Sequence, residues 1–318
     1  MSSMSSMSSP SSLTLESPLP ASSQAPASAV SWRTRLGGLV EMTKYRLSSL
    51  VVVTVGAGYL LADPEAAIDP LRASVAMGGT TLAAFGANVF NQVLEADLDK
   101  QMPRTCGRAI PSGRVTQLEG FLWALLLLVS GTVLLATLVN PVSAGLALLV
   151  AVLYVAVYTP LKQRTSLNTL VGAICGALPP VIGWVAVKGE FAMGAWVLFA
   201  ILFAWQIPHF LAIDWYYRDD YEAGGYQMAS RVDASGRFSA RLGLVYALAL
   251  IPIAFCALPA GIGGWATALG GLILGMGFFA LTVAWYTSPT RKAARRVFFA
   301  SLAYLPLLLG LLVLDPTR

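Results

Sequence analysis

The sequence predicts an all-α fold: a polytopic membrane protein, a bundle of nine transmembrane helices with its N-terminus in the cytoplasm. Three observations predict it. Of 318 residues, 56% are hydrophobic and 12% charged, with a mean hydropathy of +0.68, whereas a water-soluble domain carries about twice that share of charge. Apolar stretches long enough to cross roughly 30 Å of hydrocarbon recur along the chain, separated by short polar links. Lys and Arg then gather on one side of the predicted bundle, as cytoplasmic loops require. A soluble core of this composition would leave wide apolar patches in water, so the lipid bilayer is the expected solvent and a cytosolic enzyme is excluded. The net charge is only +5, and no nucleic-acid partner is expected.

Taken in order, residues 1–32 are a Ser-, Pro- and Ala-rich tail that cannot bury enough surface to offset its ordering entropy. The tail is expected to be disordered and cytosolic. No Lys or Arg precedes Arg33, so it has neither the basic start of a signal peptide nor an Arg-rich presequence. Residues 33–318 are the membrane domain. Its apolar cores run over 47–62, 73–94, 118–139, 142–159, 167–187, 192–213, 242–259, 264–286 and 296–314, and segments of this length span lipid as helices rather than barrel strands. Pro179-Pro180 and Pro208 fall inside two of them, where they predict kinks. Of the 21 Lys and Arg, all but Arg72, Lys188 and Arg318 lie on the same side as the N-terminus. That partition puts the C-terminus outside, and the absence of a presequence suits the inner (plasma) membrane of a bacterium.

Two inner loops are longer than helix connections need: 91–115 and 212–237. In the first, Asn91, Glu95 and Asp99 recur at i, i+4 and i+8, which on a helix drifts about 40° per step and keeps the three on one stripe; Asp97 falls on another face. Hard oxygens at a helix mouth suit Mg²⁺, which takes one or two carboxylates with water and substrate phosphate. A plain polar helix end would also explain them. Arg104, Arg108, Arg46 and Lys162 share that side, and guanidinium and ammonium groups beside carboxylates describe a diphosphate site. Lys44, Arg164 and the cluster 291–296 read more simply as orientation signals. The second loop brings Asp214, Asp219, Asp220 and Glu222 beside Tyr216, Tyr217 and Tyr221; Asp219 and Asp220 are candidates for a further Mg²⁺. His209, the sole histidine, lies in WQIPHF inside the sixth core, where an ionisable group is a functional candidate. It could contact a metalloporphyrin, act as a base, or be bonded within the bundle. Tyr158 and Trp205 sit at similar depth, as an interfacial aromatic belt or as faces for a carbocation. Cys106, Cys175 and Cys256 are too far apart for a metal-spaced pair.

The run N-x₃-E-x₃-D-x₂-M-x-R-T-x₂-R from Asn91 to Arg108, TKYR (Thr43 to Arg46), YTPLKQRT (Tyr158 to Thr165) and WQIPHF with RDDYEAGGYQM resemble the protohaem IX farnesyltransferases, or haem O synthases, of the UbiA-type intramembrane prenyltransferase superfamily. The resemblance runs from about residue 40 to 314. Glu95 stands where bacterial members often have Asp, and Cys106-Gly107-Arg108-Ala109 replaces a more usual Lys-Asn-Arg-Pro. The resemblance implies transfer of a farnesyl group from farnesyl diphosphate to a vinyl group of haem B, giving haem O for terminal oxidase assembly. Mg²⁺ is the implied cofactor, on Asn91, Glu95 and Asp99 with Asp219 and Asp220. Arg104, Arg108 and Lys162 are then expected at the leaving group, and His209, Tyr158, Trp205 and Arg46 at the haem and prenyl chain. Haem A synthase or an oxidase assembly factor are the implied protein partners. Two alternatives stand beside this one: a related prenyltransferase acting on a quinone precursor or a chlorophyllide, and a secondary transporter.

Overall fold

A computed structural model describes residues 30–63, 69–223, 225–233 and 235–316. The tail expected to be disordered lies outside the described residues up to position 29. From Trp32 the chain is helical, which the sequence pattern did not predict: α1 (Trp32–Met42) is capped by the Ser31 hydroxyl, which accepts from Thr34 N. After a turn at Lys44 come α2 (Tyr45–Ala62), α3 (Pro70–Leu94) and the single turn α4 (Ala96–Asp99). α5 (Gln117–Leu138) starts on a capping box in which Thr116 and Glu119 satisfy each other's free backbone N–H groups. α6 (Pro141–Val152) is capped by Asn140 and runs through a π-helical turn, Leu153–Tyr158, into α7 (Thr159–Leu161). α8 (Asn168–Lys188) and α9 (Met193–Tyr216) follow, then the short α10 (Arg218–Ala223) and α11 (Ala229–Val232). α12 (Arg237–Phe255), α13 (Trp265–Thr287) and α14 (Arg291–Leu314) complete the chain.

The protein is all-helical among the described residues, and eight helical stretches are long and apolar enough to span a membrane: α3, α5, the run Pro141–Leu161, α8, α9, α12, α13 and α14. α2, the first of the nine predicted cores, has a shorter apolar stretch, Ser48–Ala62. It is nonetheless packed into the bundle against α8 and α3. A Cβ at Gly58 would strike the Pro180 backbone, and one at Gly183 would strike Val55 O. Small residues let these two backbones touch, the usual way helices associate where lipid offers no hydrophobic drive. Pro179, Pro180 and Pro208 lie within continuous helices.

α8 and α9 form the centre, each with 67% of its apolar window buried, against 22% for α5. α5 and α13 instead turn Leu122, Leu126, Val129, Ile273 and Met276 outward. The polar loops cluster at one end of the bundle. Arg35 pairs with Glu119, Arg114 with Glu41, Lys162 with Glu95 and Arg291 with Asp219, joining the segments the sequence assigned to the inner side. At the opposite helix ends, Lys188 approaches Asp63 and Asn140 donates to Val185 O.

Candidate functional site

At the charged end, α3 stops at Leu94. Glu95 leaves the helical region at φ −91° and ψ 3°, yet the backbone bonds Glu95 N to Asn91 O and Asp99 N to Glu95 O carry on into α4. The predicted stripe is therefore a bent one. Asn91, Glu95 and Asp99 are all buried, at 1%, 3% and 0% exposure, and each meets a cation from a different place in the chain. Lys44 Nζ lies 3.4 Å from Asn91 Oδ1. Lys162 Nζ lies 2.8 Å from Glu95 Oε1. Arg108 Nη1 donates to both Asp99 oxygens, at 2.8 and 2.7 Å. Asn91 Nδ2 donates to Thr159 Oγ1 at 3.1 Å, which settles the orientation of the amide. Asp97 points away and pairs with Lys100 on the surface.

These groups surround a polar cavity of about 120 Å³ lined by Lys44, Arg104, Arg108 and Lys162 with Asn91, Glu95, Tyr158, Tyr221 and Tyr226. Four cationic side chains face one carboxylate there, so the cavity suits a polyanion. Arg104 lies over the Tyr221 ring at 5.5 Å, and Lys162 over Tyr158 and Tyr226 at 4.9 and 5.8 Å. Burial, reinforced by the charges of Arg108 and Lys162, pushes Lys44 down to about 7. An anion entering the cavity would favour its protonated form. Burial also raises the Tyr221 and Tyr226 phenols, which keeps them neutral donors.

The π-helical turn stacks Tyr154 on Tyr158, with centroids 5.2 Å apart and planes at 22°. Tyr158 faces the polar cavity, and Tyr154 borders a second, largely apolar cavity of about 330 Å³ between α2, α3, α6, α8, α9 and α14. His209, Trp205 and Gln206 line this second cavity. His209 Nδ1 lies 2.7 Å from Ser301 Oγ, with its ring stacked on Trp205 at 4.9 Å.

Other expected residues are placed elsewhere. Asp219 and Asp220 are exposed and do not line the polar cavity; Arg291 binds Asp219 and holds its carboxyl below the usual range. Asp214 is buried in α9, accepting from Ser230 N and Oγ, which folds the second loop back onto the bundle. Arg46 is exposed beside Tyr45, outside both cavities. Sequence reading missed Lys44 and Tyr226. A cation beside a helix start reads as an orientation signal, and only the left-handed turn at Lys44, φ 51°, shows that it is directed by the fold. The Asn91 and Glu95 oxygens at the cavity, one amide and one carboxylate, fit a Mg²⁺ ion held largely by substrate phosphate and water. Among the described residues no three His, Cys, Asp or Glu side chains converge as a closed metal cage.

The chain is 39% identical over 294 residues to the protohaem IX farnesyltransferase of Opitutus terrae, covering 92% of this chain and 98% of that one. It is 40% identical to that of Solibacter usitatus over 87% of this chain and 97% of the relative. The mitochondrial protohaem IX farnesyltransferase of Homo sapiens is 38% identical over 277 residues, which are 87% of this chain and 62% of the human one. Among solved structures, one described in work on digeranylgeranylglyceryl phosphate synthase superposes with a TM-score of 0.76 at 16% identity, over 88% of this chain and 98% of that one. A UbiA homologue from Archaeoglobus fulgidus bound to GPP and Mg²⁺ superposes with a TM-score of 0.56 at 11% identity, over 86% and 99% of the two chains; these likenesses carry the fold. The model of the UbiA prenyltransferase family matches residues 50–303. With that match over most of its length, and with relatives near 40% identity along nearly their whole sequence, this chain belongs to the UbiA prenyltransferase family.

Proposed function

We propose that the chain transfers the farnesyl group of farnesyl diphosphate to a vinyl group of haem B, giving haem O and diphosphate for the assembly of haem–copper terminal oxidases. The observation that carries this reading is the pairing of the two cavities. A cation-rich pocket of a size for a diphosphate adjoins, across the Tyr154–Tyr158 stack, an apolar one walled by bundle helices. An allylic diphosphate has that same division of charge and grease. The relatives named protohaem IX farnesyltransferase support the acceptor.

Arg104, Arg108 and Lys162 are the groups that stabilise negative charge as it develops on the leaving diphosphate, in a site shielded from bulk water. Lys44, shared with Asn91, adds a fourth charge that strengthens as the anion arrives. Asn91 and Glu95 would hold Mg²⁺, with Asp99 anchoring Arg108 behind them. The ion, when bound, supplies Lewis-acid charge neutralisation to the phosphate oxygens. Tyr158 and Trp205 offer aromatic faces to the allylic cation, and the apolar walls exclude water from it until carbon attacks. Trp205 and His209 form the haem side of the pocket. The charged end faces the cytoplasm of a bacterial inner membrane by the positive-inside rule. Haem A synthase or an oxidase assembly factor would then take the product.

The test is mass spectrometry of haems extracted from membranes supplied with haem B, farnesyl diphosphate and Mg²⁺. Haem O is expected with the chain and not without it. Its absence, or prenylation of a quinone precursor or chlorophyllide instead, would overturn the reading.

A further inference from the structure

Ser301, on α14, ties down two residues of α9 at the wall of the apolar cavity. Its carbonyl accepts the Trp205 indole N–H at 2.7 Å, and its hydroxyl oxygen lies 2.7 Å from His209 Nδ1. That hydroxyl has one proton, and it goes to Phe298 O at 2.6 Å. With that proton given to the carbonyl, the oxygen accepts from the histidine, which assigns the tautomer from the network. Nδ1 carries the hydrogen, and Nε2 is left with its lone pair. Trp205 stacks on the ring at 22° and Phe298 packs on it at 5.2 Å, so the imidazole cannot turn over cheaply.

Gln206 stands three residues before His209, on an adjoining part of the same helix face. Its Nε2 donates to Leu202 O at 3.0 Å and Ala173 O at 3.4 Å. Two carbonyl partners fix which end of the amide is nitrogen. Its Oε1 accepts no hydrogen bond among the described residues, and it occupies space that any Cβ at Gly176 would take. Both residues line the cavity. This stretch of α9 thus offers the cavity two acceptors, imidazole Nε2 and amide Oε1. A water molecule, with two O–H bonds, is the complementary ligand.

We propose that Ser301, by holding His209 in its Nδ1–H form, makes His209 Nε2 and Gln206 Oε1 the paired acceptors for the water that becomes the product's hydroxyl group. The proposal rests on the farnesyl transfer above. As the C–O bond to diphosphate breaks, its electron pair leaves with the phosphate, and the outer vinyl carbon bonds to the farnesyl C1. Positive charge then rests on the vinyl carbon next to the porphyrin ring. The water oxygen bonds to that carbon, and its proton passes to His209 Nε2. An alkyl oxonium is a strong acid, so a neutral imidazole suffices as acceptor. Where no water is held, the same cation loses a proton from the neighbouring carbon, and the product is an olefin lighter by one water. His209 and Gln206 are catalytic residues in this step; Ser301 is a positioning residue.

The experiment measures the ratio of olefinic to hydroxylated farnesyl-haem made by the full-length chain in membranes. Ser301→Ala and Gln206→Leu should each raise that ratio about tenfold or more, and Ser301→Thr, which keeps the hydroxyl, should restore it. An unchanged ratio in both variants overturns the proposal, as does a Thr variant that behaves like Ala. Since His209 is the only histidine, ¹⁵N-histidine labelling of the full chain reads its tautomer whatever the turnover. Protonated Nδ1 is expected in the unaltered chain and a mixture of tautomers in Ser301→Ala, whereas protonated Nε2 in the unaltered chain overturns the proposal. No farnesylated haem of either kind from the unaltered chain overturns the transfer reading itself.

Discussion

The two acidic loops at the charged end look alike in sequence and end in opposite situations. In the first, Asn91, Glu95 and Asp99 are buried and each carboxylate has its own cation, Lys162 or Arg108. In the second, Asp219 and Asp220 lie in solvent, Asp214 is spent on bonds to Ser230, and the residues facing the cavity are Tyr221 and Tyr226. The difference comes from the backbone that carries them. The first loop prolongs the hydrogen-bonding of α3 through Glu95 into α4, so its oxygens stay in the shadow of the bundle. The second leaves α9 at Tyr216 and folds back, with Gln227 N bonded to Lys162 O, so that its aromatic side faces inward. Acidity alone does not make an acidic site; the direction of the chain decides whether carboxylates meet cations or water.

Mutations can break that contrast. The largest effect is expected for Glu95→Ala, which removes the one carboxylate lining the polar cavity: farnesyl transfer should fall by about 10²–10³-fold, the scale of one lost electrostatic stabiliser. Turnover within a few-fold of the unaltered chain would remove Glu95 from the site. Arg108→Ala should come next and should also act on folding. It strands the Asp99 carboxylate, which is fully enclosed, and breaking a buried pair costs about 3–5 kcal/mol. Thermal unfolding in detergent would show the loss, and Arg108→Lys should recover part of it.

A smaller effect is expected at Tyr226, whose ring lies 5.8 Å from Lys162 Nζ. Tyr226→Ala should weaken diphosphate binding by about 0.5–2 kcal/mol through the lost cation–π contact, and Tyr226→Phe by less, read as KM against kcat. The smallest effect is expected for Asp219→Asn. Its pair with Arg291 is solvent-exposed, and exposed pairs contribute little, so activity should stay within about twofold. A loss as deep as that of Glu95→Ala would instead restore Asp219 as a metal ligand and erase the contrast between the loops.

Much of the molecule was legible in advance. Each predicted apolar core corresponds to a helix, because a segment in lipid must satisfy its own backbone hydrogen bonds, and a helix does so within one segment. The one-sided partition of cations also agrees with the end at which Arg35, Arg114, Lys162 and Arg291 make their pairs. The i, i+4, i+8 spacing foresaw that Asn91, Glu95 and Asp99 turn inward and Asp97 does not, but not the bend at Glu95 that sets Asp99 on Arg108, outside the cavity lining. Other features left no local signature. α1 has too mixed a pattern to read as a helix, and it is held by Arg35–Glu119 and Trp123 Nε1 to Leu39 O, contacts across more than eighty residues of chain. In sequence Lys44 reads as an orientation charge; the left-handed turn and the distance to Asn91, both set by the fold, place it in the cavity wall.

By itself, the sequence determined that this protein lives in lipid, where its helices run, which end carries the charge and which residues have the chemistry for a diphosphate. These depend on composition and on spacing along one helix, quantities any stretch of chain carries with it. The pairing of each oxygen with its cation was decided by the tertiary structure, as were the joining of a polar to an apolar cavity at the tyrosine stack and the setting of His209 by Ser301. Those depend on distances between helices far apart in sequence, and such distances exist only once small residues such as Gly58 and Gly183 have let the backbones close on one another.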